Sequence, residues 1–246
     1  MTSFSSIAPY FDLIFPYKKG KGDFLESLVN ARPSSIIDIG CATGALIADL
    51  SQRGHKTVGV DLDDEMIRIA KESNEDSADG PDFFALNMME IDRRFPSASF
   101  DLASCLGNTL PHLQSLDAIL DFFRKVHKIL RPGGKIAIQI VNYDRIMREK
   151  SGELPFIEND KIAFSRKYIF PGASPLVEFH TLIQDKRNNK EVANKSMLYP
   201  LLSGEMSSAL RDAGFRNCAF YGDFSKIPYN PGESPALIAV GEKGRM

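Results

Sequence analysis

The stretch from Ser34 to Leu50, SSIIDIGCATGALIADL, constrains this chain more than any other. Its apolar run, with β-branched Ile36, Ile37 and Ile39, predicts a buried strand ending at Asp38 and Gly40. The spacing of Ala45, Leu46 and Ala48 predicts a helix behind it. A strand, a turn at Gly40 and Gly44, and then a helix bring bare backbone and the unpaired N–H groups of a helix N-terminus toward one point. A second, parallel strand is predicted across Thr57, Val58 and Val60, and it delivers Asp61 to the same edge about 20 residues after the first glycine. A carboxylate there suits a ribose diol, whose two hydroxyls can both donate to it.

Glycine spacing separates two nucleotide-type readings. A dinucleotide fingerprint needs glycine where Ala42 and Ala45 stand, whereas D-x-G-x-x-x-G is present as Asp38, Gly40 and Gly44. That pattern resembles motif I of the class I S-adenosylmethionine (SAM) methyltransferases. The resemblance implies SAM as cofactor and a Rossmann-like α/β fold with a seven-stranded sheet. With 246 residues, 43% hydrophobic and 25% charged, the chain can bury one sizeable core. A net charge of −2 with scattered lysines and arginines leaves no footprint for nucleic acid. Cys41, Cys105 and Cys218 lack C-x-x-C spacing, which points to reduced thiols in a cytoplasmic compartment and to no metal site. The N-terminus has no signal-peptide pattern and no apolar run approaches 18 residues, so a membrane is not an expected partner.

Along the chain, residues 1–30 read as an arm and first helix, GDFLESLV, with Tyr10, Phe11, Phe15 and Tyr17 before it. These aromatics either pin the arm to the core or form a lid, in which Tyr10 or Tyr17 faces the ligand and Lys18 or Lys19 meets an amino-acid carboxylate. The remainder, 31–246, reads as the methyltransferase domain. Gly54 ends the first helix after the turn, His55 follows in a surface turn, and Asp63 caps a helix whose apolar stripe is Met66, Ile67, Ile69 and Ala70. Strand DFFALNM brings Asn87 and Met88 to the ligand edge, as a partner for the adenine amino group and a surface for its ring, and FDLASCLG leads to Asn108 and His112. Helix LDAILDFFRKVHKIL carries Leu116, Ile119, Leu120, Phe123, Val126 and Leu130 on one face and His127 away from the cleft. RPGG stops it before strand KIAIQIV, whose exit is Asn142-Tyr143-Asp144. Between 155 and 202 the period changes to two, which predicts an antiparallel β insertion with His180 on its surface, and with Arg166 and Lys167 either on a solvated sheet face or as alternative anchors for a substrate carboxylate. A helix, GEMSSALRDAGF, and a final antiparallel hairpin, RNCAFYGDF and PALIAVGE, complete the sheet.

FDLASCLGNTLPHL, RPGGKIAIQIVNYD and GDFSKIPYNPG resemble the glycine N-methyltransferase and glycine/sarcosine methyltransferase branch from about residue 10 onward. The resemblance implies that Gly40, Asp61, Asn87, Met88 and Leu106 line the SAM pocket, that Asn108 and His112 line the reacting end, and that Tyr199 stands near the sulfonium. Tyr10, Tyr17, Asp38, Cys41, Gly44, Leu62, Met66 and Cys105 complete the candidate cofactor set. That branch has His-Arg before Asn-Tyr-Asp, the arginine gripping the substrate carboxylate, where this chain has Ile140-Val141, so glycine is an unexpected substrate. The expected activity is methyl transfer to a small-molecule acceptor, an amine, with Asn108, Asn142 and Tyr199 orienting it and no essential base. A SAM-binding protein without turnover and a nucleotide-dependent oxidoreductase are the alternatives.

Overall fold

Strand β1 (Ser35–Ile39) is buried on both faces because its Ile36 and Ile37 point to opposite sides and each meets a layer of helices. In the computed structural model, which describes residues 5–75, 80–172 and 174–245, it lies at the centre of a seven-stranded sheet. The chain runs α1 (Phe11–Ile14), α2 (Lys19–Glu26), β1, α3 (Ala45–Gln52), β2 (Lys56–Asp61), α4 (Asp64–Glu72), β3 (Asp82–Ala85), α5 (Ile91–Arg94), β4 (Phe100–Cys105), α6 (Leu116–Ile129) and β5 (Leu130–Val141). There follow α7 (Tyr143–Glu149), β6 (Ile157–Glu158), β7 (Ile162–Ile169), β8 (Val177–Asp185), β9 (Lys190–Leu198), α8 (Ser203–Asp212), β10 (Phe215–Tyr221) and β11 (Ala236–Lys243). The main sheet has the order β10-β11-β5-β4-β1-β2-β3. β1 to β5 are parallel, and β11 is antiparallel to both β5 and β10. The fold class expected from sequence is the one observed, including a separate four-stranded antiparallel sheet, β6-β7-β8-β9.

Order reverses at β1, where β2 leaves to one side and β4 to the other, so a crevice opens at the carboxyl ends of these three strands. Local chemistry fixes the elements around it. Asp63 caps α4 by accepting from the backbone N–H of Glu65 and Met66, and Ser115 caps α6 by accepting from Ala118 N. Two details differ from expectation. The buried face of α6 also includes Phe122 and Ile129, and α6 passes into β5 at Leu130, so that RPGG lies inside a strand with a register irregularity beside β4. His55 is buried, with Nδ1 accepting from Ser34 N and Nε2 facing Glu26, because α2 closes over the turn after α3 and excludes water. Residues 1–4 of the predicted arm lie outside the described residues.

Candidate active site

The glycine turn folds back on β2: Gly40 N and Cys41 N both donate to Val60 O, at 2.7 and 3.0 Å. Gly40 has φ of +80°, and a Cβ there would come within 2.5 Å of Thr109 Cγ2, so both conformation and space require glycine. Gly44, at φ +81°, precedes α3 and packs against Phe83 in the same way. Asp61 ends β2 beside this turn. Its Oδ2 accepts from Ala42 N at 2.9 Å and its Oδ1 from Asp63 N at 3.0 Å, and the Leu62 N–H also donates to the carboxylate. Burial pushes the Asp61 carboxyl pKa up, and the backbone N–H donors pull against that. Leu62 follows it, 55% exposed, an uncovered apolar side chain at the rim of the crevice. Met66 and Cys41 are buried beneath, the Cys41 thiol donating to Ala42 O, and Cys105 and Leu106 are buried at the exit of β4.

Asp38 lies 4% exposed at the floor of the turn. Ser104 Oγ donates to its Oδ1 at 2.7 Å, and Lys21 acts on it electrostatically, but burial dominates and pushes its pKa up to about 6. Lys21 is itself half-buried, with its pKa lowered by desolvation. The KKGKG run promised a lysine for this site at 18 or 19. Helical phase within α2 instead turns Lys21 inward, and neither lysine named from sequence has this position.

At the exit of β4, Gly107 and Asn108 take successive left-handed conformations, φ +75° and +68°. Asn108 N donates to Gln139 O, its Oδ1 accepts from Val141 N at 3.2 Å, and its Nδ2 donates to Tyr143 Oη at 3.1 Å. Tyr143 is fully buried and hydrogen-bonds in turn to Tyr168 of β7, so a polar line runs from β4 into the antiparallel sheet. His112, in the short helical turn Leu110–Leu113, is half-buried and desolvation pulls its pKa down to about 4, which leaves a neutral imidazole of low basicity at pH 7. Asn87 caps the turn at Met88–Glu90 by accepting from Met89 N, which occupies one of its two carbonyl lone pairs. Met88 packs on the main core.

Several residues proposed for orientation are committed elsewhere. Asn142 caps α7 with its Oδ1, accepts from Tyr229 Oη at 2.6 Å, and donates to the carbonyls of Pro231 and Ser234. Both of its N–H donors are used and its oxygen holds the cap, so it fastens the β10–β11 connection and has no donor left for a substrate. Tyr199 Oη donates to Glu205 Oε1 at 2.8 Å, at the start of α8. Tyr17 Oη donates to Asp49 Oδ2 on α3, and Tyr10 is buried with its hydroxyl on Asp185. The lid tyrosines therefore have their hydroxyls in protein. The arm nevertheless lies at the crevice: Thr43 Oγ1 of the glycine turn donates to Asp12 Oδ1 at 2.6 Å and Ser5 Oγ to Asp63 Oδ2 at 2.8 Å. His180 bonds Glu178 on the outer face of β8, and His127 packs against Phe215, as their sequence positions imply.

An open depression of about 610 Å³ is lined by residues of the β10–β11 connection, including Ile227, Tyr229, Asn230 and Glu233. None of Gly40, Asp61 or Asn108 reaches it. Among the described residues no three His, Cys, Asp or Glu side chains gather as a metal site would require, and no helix is long and apolar enough to cross a membrane.

Comparison with known proteins agrees with this geometry. Residues 36–134 match the family model described as a methyltransferase domain. A ubiquinone biosynthesis O-methyltransferase of Idiomarina loihiensis is 31% identical over 107 residues, covering 44% of this chain and 42% of the relative, so the match spans less than half of that protein. The CcbJ methyltransferase from Streptomyces caelestis superposes with a TM-score of 0.81 at 18% identity, covering 100% of this chain and 99% of the other. CalS10 of Micromonospora echinaspora, a SAM-bound amino pentose methyltransferase, does so with a TM-score of 0.62 at 18% identity, over 89% of this chain and 88% of that one. The chain has the seven-stranded Rossmann-like fold of these methyltransferase structures, and residues 36–134, from β1 into β5, are similar to a methyltransferase domain.

Proposed function

We propose that this chain is a cytoplasmic, SAM-dependent methyltransferase that transfers a methyl group to the nitrogen of a small-molecule amine. In this reading residues 31–246 form the methyltransferase domain, 1–30 an arm that closes on it, and 155–202 an inserted sheet facing the acceptor. The observation that carries it is Asp61: a carboxylate with two oxygens at the carboxyl end of β2, beside a glycine turn and next to the uncovered Leu62. A ribose diol needs two acceptors so placed, and an adenine ring needs an apolar surface beside them. The residues thus fit the group. Asp61 would hold the ribose, Leu62 and Met88 the ring, the second lone pair of Asn87 Oδ1 the adenine amino group, and Lys21 the amino-acid carboxylate.

SAM supplies a methyl on a sulfonium, an already excellent leaving group. The chain's own residues then have to orient the acceptor and exclude water. Asn108 is held by three hydrogen bonds and keeps one N–H on its amide for the acceptor. His112, with its pKa pulled down to about 4, is a weak base, which favours an acceptor that arrives neutral and nucleophilic, as an amine does, over a hydroxyl that must lose its proton. CalS10, as an amino pentose methyltransferase, is in keeping with nitrogen, and the ubiquinone relative is the counter-example on oxygen. The glycine N-methyltransferase branch is a resemblance on motifs around Asn108 and Asn142, and Val141 in place of its arginine argues against glycine itself.

Calorimetry with SAM, S-adenosylhomocysteine and NAD tests the cofactor, and S-adenosylhomocysteine release across a panel of amines and phenols tests the acceptor. Binding of NAD without SAM, or turnover confined to phenols, would overturn the reading.

A further inference from the structure

The inner face of the antiparallel sheet is apolar at both ends and polar between. At one end Ile162 and Phe164 of β7, Ile183 of β8 and Val192 of β9 pack with Ile7, Tyr10 and Ile14 of the arm. At the other, Tyr168, Val177 and Leu198 join the main core. Alternation then places Arg166, Thr181 and Asn194 on the same face in a single row, since Arg166 pairs with Thr181 and Thr181 with Asn194. Arg166 therefore does not sit on a solvated sheet face, one of the two placements its sequence implied. Its guanidinium lies over the rings of Phe15 and Phe164, at 5.8 and 5.5 Å, and its Nη2 donates to Pro155 O.

Two atoms of this row are unsatisfied. Arg166 Nε and Thr181 Oγ1 are buried and have no hydrogen-bond partner among the described residues, and Thr181 is only 7% exposed. Among the described residues no carboxylate acts on Arg166, and desolvation lowers its pKa. A cation withdrawn from water without a counter-charge is unfavourable, and buried polar groups in folded proteins are almost always paired. An oxyanion is the group that would satisfy both, accepting from the planar guanidinium and from the threonine hydroxyl. The row adjoins the reacting end: Tyr168, two residues along the same face and so about 7 Å away, contacts Tyr143, which takes the hydrogen bond of Asn108.

We propose that Arg166 and Thr181 form a carboxylate subsite on the inserted sheet that selects an acceptor whose amine is several bonds from its carboxylate. The proposal rests on the methyltransferase reading and adds the substrate class. Glycine, with about 2.5 Å between its nitrogen and its carboxyl carbon, cannot span from Arg166 past Tyr168 to Asn108.

Two measurements decide it. In protein saturated with S-adenosylhomocysteine, glutarate should raise the unfolding midpoint by about 2 °C or more at several times its Kd, relative to chloride at equal ionic strength. Arg166→Gln and Thr181→Val should each reduce that shift, with Arg166→Lys retaining part of it. For acceptors, kcat/KM is compared between ω-amino acids of increasing length and the matching alkylamines. The charged-to-neutral ratio should exceed one for the longer chains and fall at least 10-fold in Arg166→Gln, mostly through KM. Equal midpoint shifts in wild type and Arg166→Gln would overturn the subsite, as would no shift in either. A shift with inorganic phosphate but not glutarate would overturn its assignment to carboxylates. SAM binding by the same preparations separates this failure from failure of the parent reading, which alone predicts no SAM affinity.

Discussion

Replacing Asp38 by asparagine should change how stability depends on pH, by an amount that follows from its burial. The carboxyl is 4% exposed and its pKa is pushed up from an ordinary 3.8 to about 6. A group whose folded pKa lies above its unfolded one favours the native state fully when protonated, and that favour is lost as pH rises through the folded value. The difference of roughly 2 pH units corresponds to about 3 kcal/mol between strongly acid and alkaline conditions, of which about 2 kcal/mol falls between about pH 4.5 and pH 8. Asparagine keeps the acceptor for Ser104 Oγ and cannot ionise, so the variant lacks this term. Any constant cost of placing its amide near Lys21 shifts the whole curve without changing the slope. Urea unfolding of both proteins across that range, with the difference in free energy plotted against pH, isolates the term. The variant should gain about 2 kcal/mol relative to wild type on going to pH 8 while binding SAM less tightly. Parallel curves would mean that Asp38 is not held in a desolvated site, and the electrostatics argued for the turn would fail with it.

Asp61→Ala removes the acceptor proposed for two ribose hydroxyls and should cost about 2 to 3 kcal/mol, or roughly 30- to 150-fold in SAM affinity by calorimetry, in a variant that still unfolds cooperatively. Because burial raises the Asp61 pKa, SAM affinity should also weaken on acidification, and a Kd unchanged down to the lowest pH at which the protein stays folded would count against the carboxylate. Glycine should be a poor acceptor, since Val141 stands where an arginine would be needed; efficient glycine methylation by the purified protein refutes this. The arm contacts Asp12–Thr43 and Ser5–Asp63 should tighten when SAM binds, giving slower hydrogen exchange over residues 8 to 20 as well as at the glycine turn, and Thr43→Val should lessen the effect.

What was legible in the sequence was whatever a short stretch decides for itself. D-x-G-x-x-x-G and the acid at the end of the following strand specify the turn because left-handed backbone and the room under Thr109 admit only glycine at 40. Period-two alternation over 155–202 gave the inserted sheet for the same reason, since it concerns one face against the other. Side-chain partners across the fold were not legible. Asn142, Tyr17 and Tyr10 are residue types that orient substrates, yet each finds its partner in a remote segment: the loop after β10, Asp49 and Asp185; Tyr199 turns to Glu205, six residues on.

Arg166 and Lys21 show the converse. Alternation told which residues of β7 share a face with Arg166 but not which face meets the core, because Phe164 and Tyr168 on its side are opposed by Ile169 and the apolar stem of Lys167 on the other. What decides is the arm, which brings Ile7, Tyr10 and Ile14 onto the Phe164 side, and so carries a charged side chain inward with its apolar neighbours. Lys21 is turned inward in the same way, by a helix whose Phe24 and Leu25 have to be buried. In both cases apolar residues set the orientation and the cation follows, at a desolvation cost that for Arg166 is met by two ring faces and one carbonyl rather than by a carboxylate among the described residues. The two inward cations differ in their partners, since Lys21 has the carboxylate of Asp38 and Arg166 has ring faces and the Pro155 carbonyl. Lys21 faces the glycine turn and its carboxylate Asp38, Arg166 faces the acceptor side, and an acceptor anion that bound near Lys21 instead would have to compete with Asp38.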